Sequence, residues 1–125
     1  MTSRLTDKEL GAVGERLVAH ALEQRGLKIL GRNVRTRYGE IDIIAKTRDP
    51  AECTVLFVEV KTRRSRAFGY PEEAITNTKR LHLYRASTAL APRYAPDCNY
   101  AILIVAVEID LANRIAKLRQ VELDG

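Results

Sequence analysis

Glu59 and Lys61 stand two residues apart at the end of the apolar run Leu56-Phe57-Val58-Glu59-Val60-Lys61. On a β-strand that spacing puts both on one face. Val55 and Phe57 lie behind them on that face, and Leu56, Val58 and Val60 line the other. A strand apolar on both faces is normally central and covered on both sides. A carboxylate or ammonium buried there is costly unless it has a partner or a metal. A second acid, Asp42, stands in Gly39-Glu40-Ile41-Asp42-Ile43-Ile44-Ala45, which also reads as a short strand opened by Gly39. The polar loop Lys46 to Cys53, with Asp49-Pro50 as its turn signal, joins the two strands. Adjacent antiparallel strands bring Asp42 and Glu59 together, and two carboxylates repel unless a cation sits between them. Mg²⁺ is held by one or two carboxylates plus water and phosphate oxygens. Lys61 beside them is placed to meet a phosphate or an attacking water.

The elements that must position these groups are legible around them. Thr6 is a good N-cap, Glu9 completes a capping box, and Gly26 is a natural C-terminal stop. Between them Leu10, Val13, Leu17 and Ala21 recur at helical spacing as a core stripe. Glu15 lies off that stripe, with Gly11, Val18, Ala19 and Leu22 as its helical neighbours. That small, apolar surface leaves two readings open: a solvated residue on a broad helix, or a third carboxylate for the site. A second helix starts at Pro71, a residue that suits a first helical position, and ends near Ala91-Pro92. Lys79, Leu83, Ala86 and Leu90 share one face of it. Lys79 reads equally as a site residue or as a lysine snorkelling at the core edge. His20 and His82 each stand alone on a helix, with no ligand pattern around them. Ala101 to Val107 reads as a buried strand and Asp110 to Asn113 as a turn. Arg114 to Leu118 reads as an edge strand or a short helix.

Basic residues cluster beside the acids. Arg32, Arg35 and Arg37 lead into the Asp42 strand, and Lys61, Arg63, Arg64 and Arg66 lie at and beyond the end of the Glu59 strand. Guanidinium forks pair bidentately with phosphate oxygens and position a backbone without reading its sequence. Tyr38, Phe68 and Tyr70 are the few aromatics nearby, so base stacking has little support. The chain has 125 residues, enough for one core, and residues 1–125 are expected to form a single domain. Its net charge of +5 favours a polyanionic partner. Cys53 and Cys98 are expected to be cytosolic thiols. Met1 to Lys8 are polar and contain no apolar core, so no secretory signal is expected there. The longest apolar run, Tyr100 to Val107, is far too short to span a membrane. These features set the expectation of a cytoplasmic protein with no membrane partner.

Gly14-Glu15, Arg32-Asn33, Gly39-Glu40-Ile41-Asp42 and Phe57-Val58-Glu59-Val60-Lys61-Thr62-Arg63 together resemble the YraN family. Phe68-Gly69, Pro71 and Lys79 fit the same pattern, and the resemblance covers roughly residues 8 to 110. That family is similar to archaeal Holliday-junction resolvases and the PD-(D/E)xK nucleases. The resemblance implies an α/β fold with a restriction-endonuclease-like core, a mixed β-sheet flanked by helices in αβββαβ order. It implies Asp42 and Glu59 as metal ligands, Lys61 as the catalytic lysine and Glu15 as a further acidic ligand or metal-water contact. Lys79 corresponds to the polar residue that approaches the active site from the second helix in resolvase-like nucleases. One departure is Ala101, after Tyr100, where the family tends to carry Asp; it lies outside the nuclease signature.

The expected function is a metal-dependent endonuclease, with Mg²⁺ or Mn²⁺ as cofactor. DNA is the expected partner, branched or junction DNA by resemblance. Arg32, Arg35, Arg37, Arg63, Arg64 and Lys79 are the expected nucleic-acid contacts. A homodimer is implied only by analogy with resolvases. Two other classes compete. One is a non-catalytic nucleic-acid-binding module on the same fold. The other is an adaptor that assembles through the apolar late strand and tail.

Overall fold

The computed structural model describes residues 5–65 and 76–121. Helix α1 (Asp7–Gln24) is followed by strands β1 (Leu27–Thr36), β2 (Gly39–Thr47) and β3 (Thr54–Arg64). Helix α2 (Asn77–Tyr94) then leads to β4 (Asn99–Asp110) and β5 (Ile115–Val121). The five strands form one sheet in the order β1-β2-β3-β4-β5. All neighbours are antiparallel except β3 and β4, which run parallel. A parallel pair needs a crossover, and α2 supplies it. The expected αβββαβ order is present, extended by one antiparallel edge strand.

The sheet is sandwiched between the two helices because its central strands are apolar on both faces. Val58, with Leu56 and Val60 beside it, packs towards Leu10, Val18 and Leu22 of α1. Val55 and Phe57 pack towards Leu83, Ala86 and Leu90 of α2. Val55, Phe57 and Val58 are all fully buried. Each such side chain is worth roughly 1.5–3 kcal/mol of transfer free energy. β3 is therefore the central strand that its sequence announced.

Helix α1 begins as expected: the Thr6 side chain accepts from Glu9 N–H, and the Glu9 carboxylate accepts from Thr6 N–H. Gly26 adopts φ +89° just beyond its end. The buried positions are Leu10, Gly14, Val18, Ala19 and Leu22. Of the expected stripe, Leu10 is buried and Val13 and Leu17 pack, partly buried, against the same core. The position that spacing did not single out is Gly14. A Cβ at that position would collide with Thr62 Oγ1 and lie 3.0 Å from Thr62 Cβ, so its bare backbone sits directly on β3. Helix α2 begins at Asn77 behind a Thr76 N-cap. Pro71, the expected start, lies outside the described residues, as do Arg66, Phe68, Gly69 and Tyr70. The helix ends at Tyr94, two residues past Pro92 and close to the expected end.

At the C-terminal end, Asp110 Oδ1 accepts from Asn113 N–H at 3.2 Å and closes the expected turn. The following segment is the edge strand β5 and not a helix. A second correction concerns the cysteines, which are not free thiols. Cys53 and Cys98 form a disulfide with their Cα atoms 4.9 Å apart. Each immediately precedes one of the parallel strands, where Thr54 pairs with Asn99. Sequence offers no sign of that juxtaposition, because it depends on the β3–β4 register. Among the described residues no helix is long and apolar enough to cross a membrane.

Candidate active site

The site lies where β2 and β3 separate. Their pairing runs from Lys46↔Val55 to Ile43↔Val58 and ends there. Beyond it the alternation of β2 breaks: Ile43 joins the α1-side core, yet Ile41 joins the α2-side core. Asp42, between them, turns into the gap. Its Oδ2 accepts from Val60 N–H at 2.7 Å, taking the place of a ladder partner. β3 continues beside β4, with Glu59 opposite Ile104 and Lys61 opposite Ala106. This delivers Glu59 into the same gap as Asp42.

The two carboxyl groups act on each other across this gap. Burial, followed by the charge of Asp42, pushes Glu59 up to about 8. Burial also raises Asp42, against the Val60 N–H that favours its charged form. A pair of partly buried acids that must hold a proton in the absence of a cation is a donor set suited to a hard divalent ion. Among the described residues no group of three or more His, Cys, Asp or Glu side chains is arranged to hold a metal by itself.

Lys61 and Lys79 complete the other side. Burial, followed by the neighbouring Lys79, lowers the pKa of Lys61. Both attract Glu59. Glu59, Lys61, Lys79 and His82 line a cavity between the sheet and α2, floored by Leu83 and Ile104. Two adjacent ammoniums beside a carboxyl pair provide an anion position next to a cation position.

Glu15 reaches this centre from α1. Burial raises its pKa first, then the charge of Asp42, while Arg32 opposes. Asn33 links it to Glu40. Because carboxylate oxygens only accept, the Asn33 amide is assigned with its nitrogen towards them. In that orientation it donates to Glu15 Oε1 and Glu40 Oε1, each at 2.8 Å. Glu40 Oε2 also lies 3.6 Å from Arg35 Nε. The sequence reading missed Asn33, Glu40 and His82 as site residues. Glu40 carries a signal, standing two residues before Asp42 on the same strand. His82 lies one helical turn beyond Lys79. Asn33 carries only its tolerance of a left-handed backbone, here φ +51°.

The expected nucleic-acid contacts are dispersed. Arg32, Arg35 and Arg37 are exposed on β1 and the turn after it. The Arg37 guanidinium lies 5.1 Å from the Tyr38 ring centroid. Arg63 is exposed and its charge reaches Lys61. Arg64 is not brought to the site. It donates to Asp7 Oδ1 at 2.8 Å and to the Leu5 carbonyl, tying β3 to the start of α1.

Residues 14–111 match the family described as "Uncharacterised protein family UPF0102". The chain belongs to the UPF0102 (YraN) family. It is 41% identical over 119 residues to a UPF0102 protein of Caldicellulosiruptor saccharolyticus, covering 94% of this chain and 98% of that one. A UPF0102 protein of Mycolicibacterium smegmatis is 44% identical over 122 residues, covering 97% and 92%. Another from Syntrophomonas wolfei is 43% identical over 105 residues, covering 82% and 88%. The family match begins at Gly14 and includes Glu15, Asp42, Glu59, Lys61 and Lys79.

Proposed function

We propose that this UPF0102 protein is a metal-dependent endonuclease that hydrolyses phosphodiester bonds in DNA. The observation that carries the reading is the Asp42–Glu59 carboxyl pair in the β2–β3 gap, with Lys61 and Lys79 against it. Asp42 and Glu59 would hold Mg²⁺ or Mn²⁺, with Glu15 nearby through its charge. Such an ion, when bound, polarises a phosphoryl oxygen and makes its water more acidic. Lys61, at the rim of the gap, binds the scissile phosphate and offsets negative charge that grows on it. Lys79 holds the same phosphate from α2. Arg32, Arg35, Arg37 and Arg63 are exposed and would pair with phosphates flanking the scissile one. A cation held by Asp42 and Glu59 would offset the repulsion between the acids, and a phosphate beside Lys61 and Lys79 would offset that between the lysines.

The test is cleavage of labelled branched, flapped, single-stranded and duplex DNA with Mg²⁺, with Mn²⁺ and with chelator, beside Lys61→Ala. Metal-dependent cutting that Lys61→Ala suppresses supports the reading and defines the substrate. If every DNA survives in all conditions while binding persists, a non-catalytic binding module replaces it.

A further inference from the structure

We infer that Asn33 is a positioning residue that ties Glu15 of α1 to Glu40 of β2 on the strand that carries Asp42, and that this amide bridge sets the site's affinity for a divalent cation. This rests on the metal-site reading above.

Three observations converge on Asn33. It lies between Arg32 and Val34, which pair with Ile43 and Ile41, so it stands across the sheet from Asp42. Its backbone is left-handed, with φ +51°, in the middle of a strand. An L-residue rarely adopts that conformation, and Asn is among the few non-glycine types that tolerate it. The conformation coincides with an amide that reaches two acids on different elements, Glu15 of α1 and Glu40 of β2, at 2.8 Å each.

The residue type suits the task. Glu15 and Glu40 repel, and the charge of Glu40 acts on Glu15. An amide NH₂ has two donors, one for each carboxylate, and carries no charge. It therefore fixes the spacing of the acids without cancelling the negative field that attracts a cation. An arginine would fix them and neutralise that field. An aspartate would add a third repelling group. Glu40, held also by Arg35, is the anchor. Glu15 is the arm that the bridge directs towards Asp42. Partners of this kind typically change metal affinity 10–100-fold when removed.

Asn33→Gly removes the amide but accepts the left-handed backbone, so it separates the bridge from chain geometry. Mn²⁺ binding is measured on the full chain for wild type, Asn33→Gly, Glu15→Gln and the double variant, with thermal melting alongside. The expected result is wild-type binding, about tenfold weaker binding in Asn33→Gly, and a double variant no weaker than Glu15→Gln alone. Unchanged affinity in Asn33→Gly, or additive losses in the double variant, overturns the role of Asn33 while leaving the metal site standing. Absence of Mn²⁺ binding by wild type overturns the metal-site reading, and the positioning role with it. If Asn33→Gly does not fold, the side-chain amide resonances of Asn33 in Glu15→Gln decide. A shift relative to wild type supports the bridge, and unmoved resonances overturn it.

Discussion

Asp42 Oδ2 accepts a 2.7 Å hydrogen bond from the backbone N–H of Val60, one residue beyond Glu59. A side chain thus does the work of a ladder bond where β2 leaves β3. The same contact opens the gap and holds an acid inside it. Removing the acid therefore tests two things that must be separated, the backbone seam and the chemistry. Asparagine keeps an acceptor oxygen for Val60 N–H and removes the charge.

The Asp42–Glu59 pair makes stability depend on pH. Glu59 is raised from 4.5 to about 8 in the folded chain, so the native state binds its proton more tightly than the unfolded state. The contribution is fully present below 4.5 and is lost as pH rises through about 8. Thermal melting of metal-free protein is expected to fall across that window and to flatten in Glu59→Gln. Added Mg²⁺ is expected to restore stability most at the upper end, where both acids are ionised. A flat wild-type profile would contradict the buried pair.

Gly14 packs its backbone on Thr62, so Gly14→Ala is expected to destabilise the protein by about 1–3 kcal/mol despite alanine's better helix propensity. The buried Thr62 Oγ1 has no hydrogen-bond partner, so removing it costs no bond. Thr62→Ala in the Gly14→Ala background is expected to recover part of the loss. Denaturant melts of the single and double variants give the coupling. Additive losses would show that the two residues do not share that contact.

Arg63 and Arg64 are neighbours in sequence with different surroundings. Arg63→Ala is expected to weaken DNA binding uniformly across sequences and to flatten its salt dependence by about one unit of slope. Arg64→Ala is expected to leave the slope unchanged and to lower stability by about 1 kcal/mol, through the lost contacts with Leu5 and Asp7. Salt titrations of binding and denaturant melts of both variants check this. Equal salt slopes for the two would remove the distinction.

Reduction of the Cys53–Cys98 bridge is expected to destabilise the chain by about 2–4 kcal/mol, because it frees a long loop in the unfolded state. The bridge stands just before the start of β3, whereas Glu59 and Lys61 lie in its middle and second half. Cation affinity in the reduced, folded protein is therefore expected to match that of the oxidised form. Melting and Mn²⁺ titration with and without reductant test both statements.

How far the sequence revealed this molecule follows from what each feature depends on. Glu59, Lys61 and Asp42 stood out because charges on apolar strands violate the ordinary pattern, and the violation is local. The Thr6–Glu9 capping box is equally local. The burial of Gly14 was not legible, because its determinant is a backbone contact with Thr62 on another element. The Asn33 bridge needs a left-handed residue and acids from two elements, which spacing does not encode. The disulfide and the divergence of Arg64 from Arg63 likewise depend on which strands and helices become neighbours.

The most direct measurement is single-turnover cleavage of DNA by wild type and Asp42→Asn at saturating Mn²⁺, on protein whose folding has been verified by thermal melting. The account predicts metal-dependent cutting by wild type and at least a hundredfold loss in a folded Asp42→Asn, on the order expected when a charged ligand is removed. Undiminished cutting by folded Asp42→Asn would contradict it.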